Sequence, residues 1–156
     1  MRLTIIAAGR LKSGPERELV DRYADRIRSS GSGIGLGPLT ECEVDARSHS
    51  DKTAESAALA AQIPSGAALC LLDERGKSPT AREFAAILAG WRDDGFRDAA
   101  FVIGGADGLD RKAFGQPHLV LSFGKTVWPH MLVRAMLAEQ LYRAVSILSG
   151  APYHRD

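Results

Sequence analysis

The chain ends in Tyr153-His154-Arg155-Asp156, which sets an aromatic ring, an imidazole and a guanidinium at three successive positions. A tyrosine ring can stack on a nucleobase, an imidazole can move protons near neutral pH, and a guanidinium can grip phosphate through two parallel hydrogen bonds. Chain ends are ordinarily polar and frayed, so the same residues also suit a solvated tail, and residue type alone does not separate the two. Glycine marks a second set of positions. Three apolar runs end in Leu72-Asp73, Ile103-Gly104-Gly105 and Phe123-Gly124-Lys125-Thr126. Glycine lets a backbone approach a ligand closely, although it serves equally well as a turn residue.

Several chemistries are excluded by spacing. Gly124-Lys125-Thr126 resembles the end of a phosphate-binding loop, but GxxxxGK[ST] requires glycine where Leu119 stands. Gly104-Gly105-Ala106-Asp107-Gly108 follows an apolar run, yet it lacks GxGxxG spacing and has no acid near twenty residues on. The sequence holds no GxSxG and no HExxH. His49, His118, His130 and His154 are scattered, so no metal site is expected. Cys42 and Cys70 form no CxxC pair, which fits a reducing compartment and a cytoplasmic protein.

The elements that must position these residues follow from periodicity. Apolar runs at Leu3–Ala8, Ala67–Leu72, Ala99–Ile103 and Leu119–Phe123 read as buried strands. Thr40, Cys42 and Val44 alternate with acids and predict a strand with one wet face. Helical spacing predicts helices over Glu16–Ser29, Asp51–Ile63, a segment opened by Ser78-Pro79, and Pro129–Leu148. Thr80 and Glu83 have capping-box spacing and offer a second start for the third of these. The stretch GSGIGLGPL is expected to be a flexible loop, as is polar 73–77, and a short helix is expected from about Asp110. Strands alternating with helices define an α/β fold with a mainly parallel sheet flanked by helices, in a single domain over 1–156. In such sheets ligands bind at the carboxyl ends of strands, where the three run ends lie. No segment is long and apolar enough for a membrane span or a signal peptide.

A net charge of +1 excludes binding of nucleic acid by bulk electrostatics. The distribution is uneven. Residues 111–156 carry six Lys+Arg against two Asp+Glu, a net of +4, whereas residues 1–110 carry 14 against 17, a net of −3. Such asymmetry can mark an anionic partner, or a chance grouping of surface arginines.

Four segments in order, LLDERGKSPTAREFA (71–85), FVIGGADGL (101–109), WPHMLVRAMLAEQLYRAVSI (128–147) and PYHRD (152–156), resemble the bacterial 23S rRNA pseudouridine N3-methyltransferases of the SPOUT class. The likeness runs over nearly the whole chain. It implies a SPOUT-type fold with a C-terminal trefoil knot, a homodimer, S-adenosylmethionine as cofactor, and 23S rRNA in the assembled ribosome as substrate. Carried over by position, the cofactor loops are Leu72, Gly104 and Gly105, and Phe123, Gly124, Lys125, Thr126, Val127 and Trp128. The active site would join the cofactor pocket of one subunit to Tyr153, His154 and Arg155 of the other.

For such a reaction the candidate bases are His154 and His130. Arg155, Arg134 and Arg143 are candidates for stabilising a deprotonated imide or binding phosphate, Tyr153 would stack on or edge the base, and Glu139 is expected to pair with one of the arginines. The rival readings are a nucleotide-binding protein using Gly124-Lys125-Thr126 and a non-catalytic ribosome-binding module.

Overall fold

The computed structural model describes residues 1–45 and 51–153. His49, His154, Arg155 and Asp156 lie outside the described residues. The elements run β1 (Arg2–Ala8), α1 (Pro15–Gly31), a 3-10 turn (Ser32–Ile34), β2 (Leu39–Val44), α2 (Lys52–Ala60), β3 (Ala68–Lys77), α3 (Ala81–Asp93), β4 (Asp98–Ile103), a second 3-10 turn (Arg111–Ala113), β5 (Leu119–Leu121) and α4 (His130–Ser149). All strand pairs are parallel, in the order β2-β1-β4-β3-β5.

Side-chain alternation divides the interior into two cores. Leu3, Ile5, Ala7, Cys70, Phe101 and Ile103 face α1, α3 and α4. Ile6, Ala8, Leu69, Leu71 and Val102 face α2 and the 111–113 turn. All six β4 residues are buried, which explains the unbroken apolar run that ends at Ile103. α4 crosses the first core and buries Leu137 and Leu141 completely, each contributing roughly 1.5–3 kcal/mol. Thr80 caps α3 in a full capping box with Glu83, so the helix starts there and not at Ser78-Pro79. α2 is capped by Asp51, whose carboxylate accepts from the Ala54 N–H at 2.9 Å.

Three expectations are corrected. The glycine-rich stretch is ordered. Leu36 is buried, its N–H reaches the Gly31 carbonyl at 3.0 Å, and the Gly37 N–H reaches the Met1 carbonyl at 2.8 Å. A Cβ on Gly31 would lie 1.9 Å from the Leu36 carbonyl oxygen, so glycine here permits close packing of backbone on backbone. The 73–77 segment is part of β3. Leu72 and Lys77 both register with Leu121, so Asp73–Gly76 bulge out and Lys77 rejoins the sheet. Main-chain pairing makes this strand, and polar side chains conceal it. β5 is shorter than expected because Ser122 turns away to bond the loops beside it.

Candidate active site

The carboxyl ends of β3, β4 and β5 converge on one cleft of about 320 Å³. Its floor is apolar, with Leu72, Ile103, Leu109, Leu121, Phe123 and Val133, and its rim carries Lys52, Asp73, Glu74, Arg75 and Asp107. Each loop around it is fixed by side chains bonding to backbone. The Gly105 N–H donates to Glu55 at 2.9 Å, and the Asp110 N–H donates to buried Ser56 at 2.8 Å. Thr53 donates to the Asp110 carboxylate at 3.1 Å. One turn of α2 therefore clasps the whole loop after β4. A Cβ on Gly104 would lie 2.8 Å from the Gly108 carbonyl, so the loop folds tightly on itself and a larger residue would open it. On the other side, the Ser122 hydroxyl contacts the Glu74 and Gly124 carbonyls at 3.1 and 2.9 Å and accepts from the Gly124 N–H at 3.1 Å. This joins the β3 bulge to the loop after β5. Burial raises the Asp73 carboxyl, but its hydrogen bonds from Arg75 outweigh this and hold it below the usual carboxylate range.

Of the positions named from sequence, Leu72, Gly104, Gly105, Phe123, Gly124, Thr126, Val127 and Trp128 line this cleft, and so does His130 at the start of α4. Lys125 does not line it. The Gly124-Lys125-Thr126 stretch also leads to no helix start, because α4 begins only at His130 after Pro129. A phosphate-binding loop needs its glycine turn to run straight into a helix N-terminus, so that rival lacks its geometry. Trp128 donates its indole N–H to the Phe123 carbonyl at 3.4 Å, while Val127 is 83% exposed at the mouth.

The arginines separate. The Arg134 side chain is fully buried. It bonds Glu43 at 2.7 Å and the carbonyls of Gly9 and Ala8 at 2.9 and 3.2 Å. It ties α4 to the ends of β1 and β2 and has no surface to offer RNA, which corrects its substrate-binding assignment. Arg143 is 28% exposed and pairs with Glu139, the expected partner. Tyr153 docks on the same face. It donates to Glu139 at 3.1 Å, its hydroxyl meets that of Tyr23 at 3.5 Å, and its ring lies 4.7 Å from that of Tyr142. Burial, the Tyr23 hydrogen bond and the Glu139 charge all push its phenol up, so it stays a neutral donor. Tyr153 does not line the cleft of its own chain.

His118 is structural. Its Nδ1 accepts from the Leu69 N–H at 3.0 Å, and Trp91 and Phe96 pack edge-on against its ring. Sequence reasoning missed Glu55, Ser56 and Ser122. Only tertiary pairing reveals them, although Asp51 as a helix cap marks the turn that carries the first two. Among the described residues no group of His, Cys, Asp and Glu could hold a metal ion, and no helix is long and apolar enough to cross a membrane.

Residues 1–154 match the family model described as predicted SPOUT methyltransferase. The chain belongs to the SPOUT methyltransferase family. This SPOUT methyltransferase is 60% identical, over the full length of both chains, to "Ribosomal RNA large subunit methyltransferase H" of Maricaulis maris. A protein of the same name from Dinoroseobacter shibae is 54% identical over 99% of each chain. Among solved structures, that of a probable methyltransferase from Bordetella pertussis Tohama I covers 92% of this chain and 96% of its own, at 17% identity and a TM-score of 0.47.

Proposed function

We propose that this chain, as one domain, methylates N3 of a pseudouridine in 23S rRNA of the assembled ribosome, and that it works in the cytoplasm as a homodimer. The observation that carries the reading is the convergence of three strand ends on one apolar-floored, charge-rimmed cleft in a SPOUT methyltransferase. The curated relatives named as large-subunit rRNA methyltransferases give the substrate class.

SPOUT methyltransferases use S-adenosylmethionine, which supplies an electrophilic methyl group on a sulfonium. The cleft suits it. Leu72, Ile103, Leu109 and Phe123 form an apolar bed for a flat ring, the glycine turns bring backbone groups close, and Arg75, Lys52 and Asp107 at the rim match a zwitterionic tail. Glu55, Ser56 and Ser122 keep this cradle in shape before anything binds, which lowers the ordering cost of binding.

The N3–H of a pseudouridine is weakly acidic, so a base must take its proton. His130 is the described imidazole at the cleft wall. His154 is the other candidate, with Arg155 stabilising the deprotonated imide, Tyr153 edging the base and Arg143 orienting Tyr153 through Glu139. In this reading the tail acts on the cleft of the partner subunit. The face on which Tyr153 docks supports that. It carries an apolar hollow of about 250 Å³ lined by Leu19, Leu132, Ala135 and Met136, and Phe123 lines both this hollow and the cleft. The trefoil knot belongs to the same proposal. β5 is the outermost strand, yet α4 after it returns across the sheet to pack on α1 and α3.

Calorimetry with S-adenosylmethionine, against ATP and magnesium, followed by labelled methyl transfer to intact ribosomes and to naked rRNA, tests the reading. We expect binding of S-adenosylmethionine alone and transfer to ribosomes in preference to naked rRNA. Deleting residues 153–156 should leave binding intact and reduce transfer at least a hundredfold. Absence of transfer, or equal transfer to naked rRNA, would overturn the reading.

A further inference from the structure

We propose that Arg10 and Lys12, in the loop after β1, form a seat for a backbone phosphate of the RNA substrate beside the cleft; this rests on the reading above.

The loop leaves the sheet at the same carboxyl edge as the cleft. Arg10, Lys12, Ser13, Asp45 and Met131 line a hollow of about 370 Å³ there. The hollow and the cleft share the first turn of α4: His130 lines the cleft, and its neighbour Met131 lines the hollow. The His130 Nε2 lies 3.6 Å from where a Cβ on Gly9 would stand. A group seated in the hollow therefore lies against the same first turn of α4 as the cleft wall.

The loop is built from below. The Gly9 N–H bonds the Val44 carbonyl at 2.8 Å, the Leu11 N–H bonds Glu43 at 2.7 Å, and buried Arg134 holds the Gly9 carbonyl. Leu11 is buried, so the residues on either side, Arg10 and Lys12, are turned out to solvent. Neither has an ion-pair partner among the described residues.

Charge decides which side the RNA backbone approaches. The cleft rim carries Lys52 and Arg75 against Asp73, Glu74 and Asp107, a net of −1. Among the described residues the hollow carries two cations against Asp45, a net of +1, within the segment whose overall charge is −3. A phosphodiester carries one negative charge and suits the hollow better than the rim. Arg10 offers the fork geometry for phosphate, and Lys12 a flexible point charge.

The test compares wild type, the double variant Arg10→Ala/Lys12→Ala, and the charge-keeping swap Arg10→Lys/Lys12→Arg. Each is checked for an unchanged thermal midpoint and for S-adenosylmethionine affinity, which should stay within twofold. Co-sedimentation with intact ribosomes and methyl-transfer kinetics are then measured over a range of salt. We expect the double variant to bind ribosomes and to turn over (kcat/KM) about tenfold more weakly, with a log–log salt slope shallower by about 0.7 for each phosphate no longer neutralised. The swap should retain most of the affinity. Equal ribosome binding and equal salt slope in wild type and double variant would overturn the proposal. Weakened binding in the double variant, with no methyl transfer even by wild type, would support the seat and overturn the methyltransferase reading alone.

Discussion

Two arginines nine positions apart on α4 do opposite things. Arg134 is sealed in the interior, its guanidinium shared between Glu43 and two carbonyls of the β1 exit. Arg143 lies in a half-open cluster with Glu139 and Tyr153, with its guanidinium 5.1 Å from the Tyr153 ring centre. The first holds the frame that aims the loop after β1. The second holds the base of the tail. Residue type is the same, and what differs is whether water can replace the partner. A buried guanidinium without its carboxylate has nowhere to turn, whereas a half-exposed one rehydrates.

Replacing Arg134 gives the largest expected effect. Arg134→Ala strips the Ala8 and Gly9 carbonyls of their donor and empties a large site with no access to solvent, so about 2–5 kcal/mol of stability should be lost. Urea denaturation followed by circular dichroism would measure it. Where the variant is too unstable to purify, Arg134→Lys, which keeps the charge and loses the fork, should fall between it and wild type. A loss of less than about 1 kcal/mol in Arg134→Ala would erase the contrast between the two arginines.

Arg134 also shows what is legible in the sequence. With Ala138, Leu141 and Val145 it follows the i, i+4, i+7, i+11 spacing of the buried stripe of α4. An arginine on that stripe has to be buried and paired. The signal is present in the sequence, but basic residues near a candidate site invite a phosphate-binding role and mask it. The parallel sheet and the three strand ends that line the cleft are readable because apolar runs and glycines are local features. The clasp of Glu55 and Ser56 on the loop after β4 joins segments some fifty residues apart and leaves no local trace. The order around Gly31 escapes a sequence reading for a related reason: a glycine that permits close approach looks like one that permits motion until its neighbour is known.

Arg143→Ala should sharpen the contrast from the other side. Its pair with Glu139 is part-exposed and one helical turn long, worth at most about 1 kcal/mol. The thermal midpoint should therefore move by only a few degrees. Methyl transfer to ribosomes should nevertheless fall about tenfold or more, because Tyr153 loses the neighbour that fixes its Glu139 acceptor. A variant as unstable as Arg134→Ala, or one with wild-type transfer, would show that this cluster is not a separately removable support for the tail.

The smallest effect is a pH dependence at the Arg134 end. Partial burial raises the Glu43 carboxyl, but the Leu11 N–H and the Arg134 guanidinium outweigh it and hold Glu43 below its usual value. A carboxylate whose folded pKa is depressed contributes stability above its unfolded pKa, about 4.3, and that contribution disappears as pH falls through the lower folded value. Stability measured from pH 6 to pH 3 should therefore fall more steeply in wild type than in Glu43→Gln, which keeps an acceptor oxygen for Leu11 but has no charge to lose. The two curves should converge at the acid end. If Glu43→Gln ran parallel with wild type, the bond between Glu43 and Arg134 would carry no more free energy than a surface pair, despite the burial of its arginine.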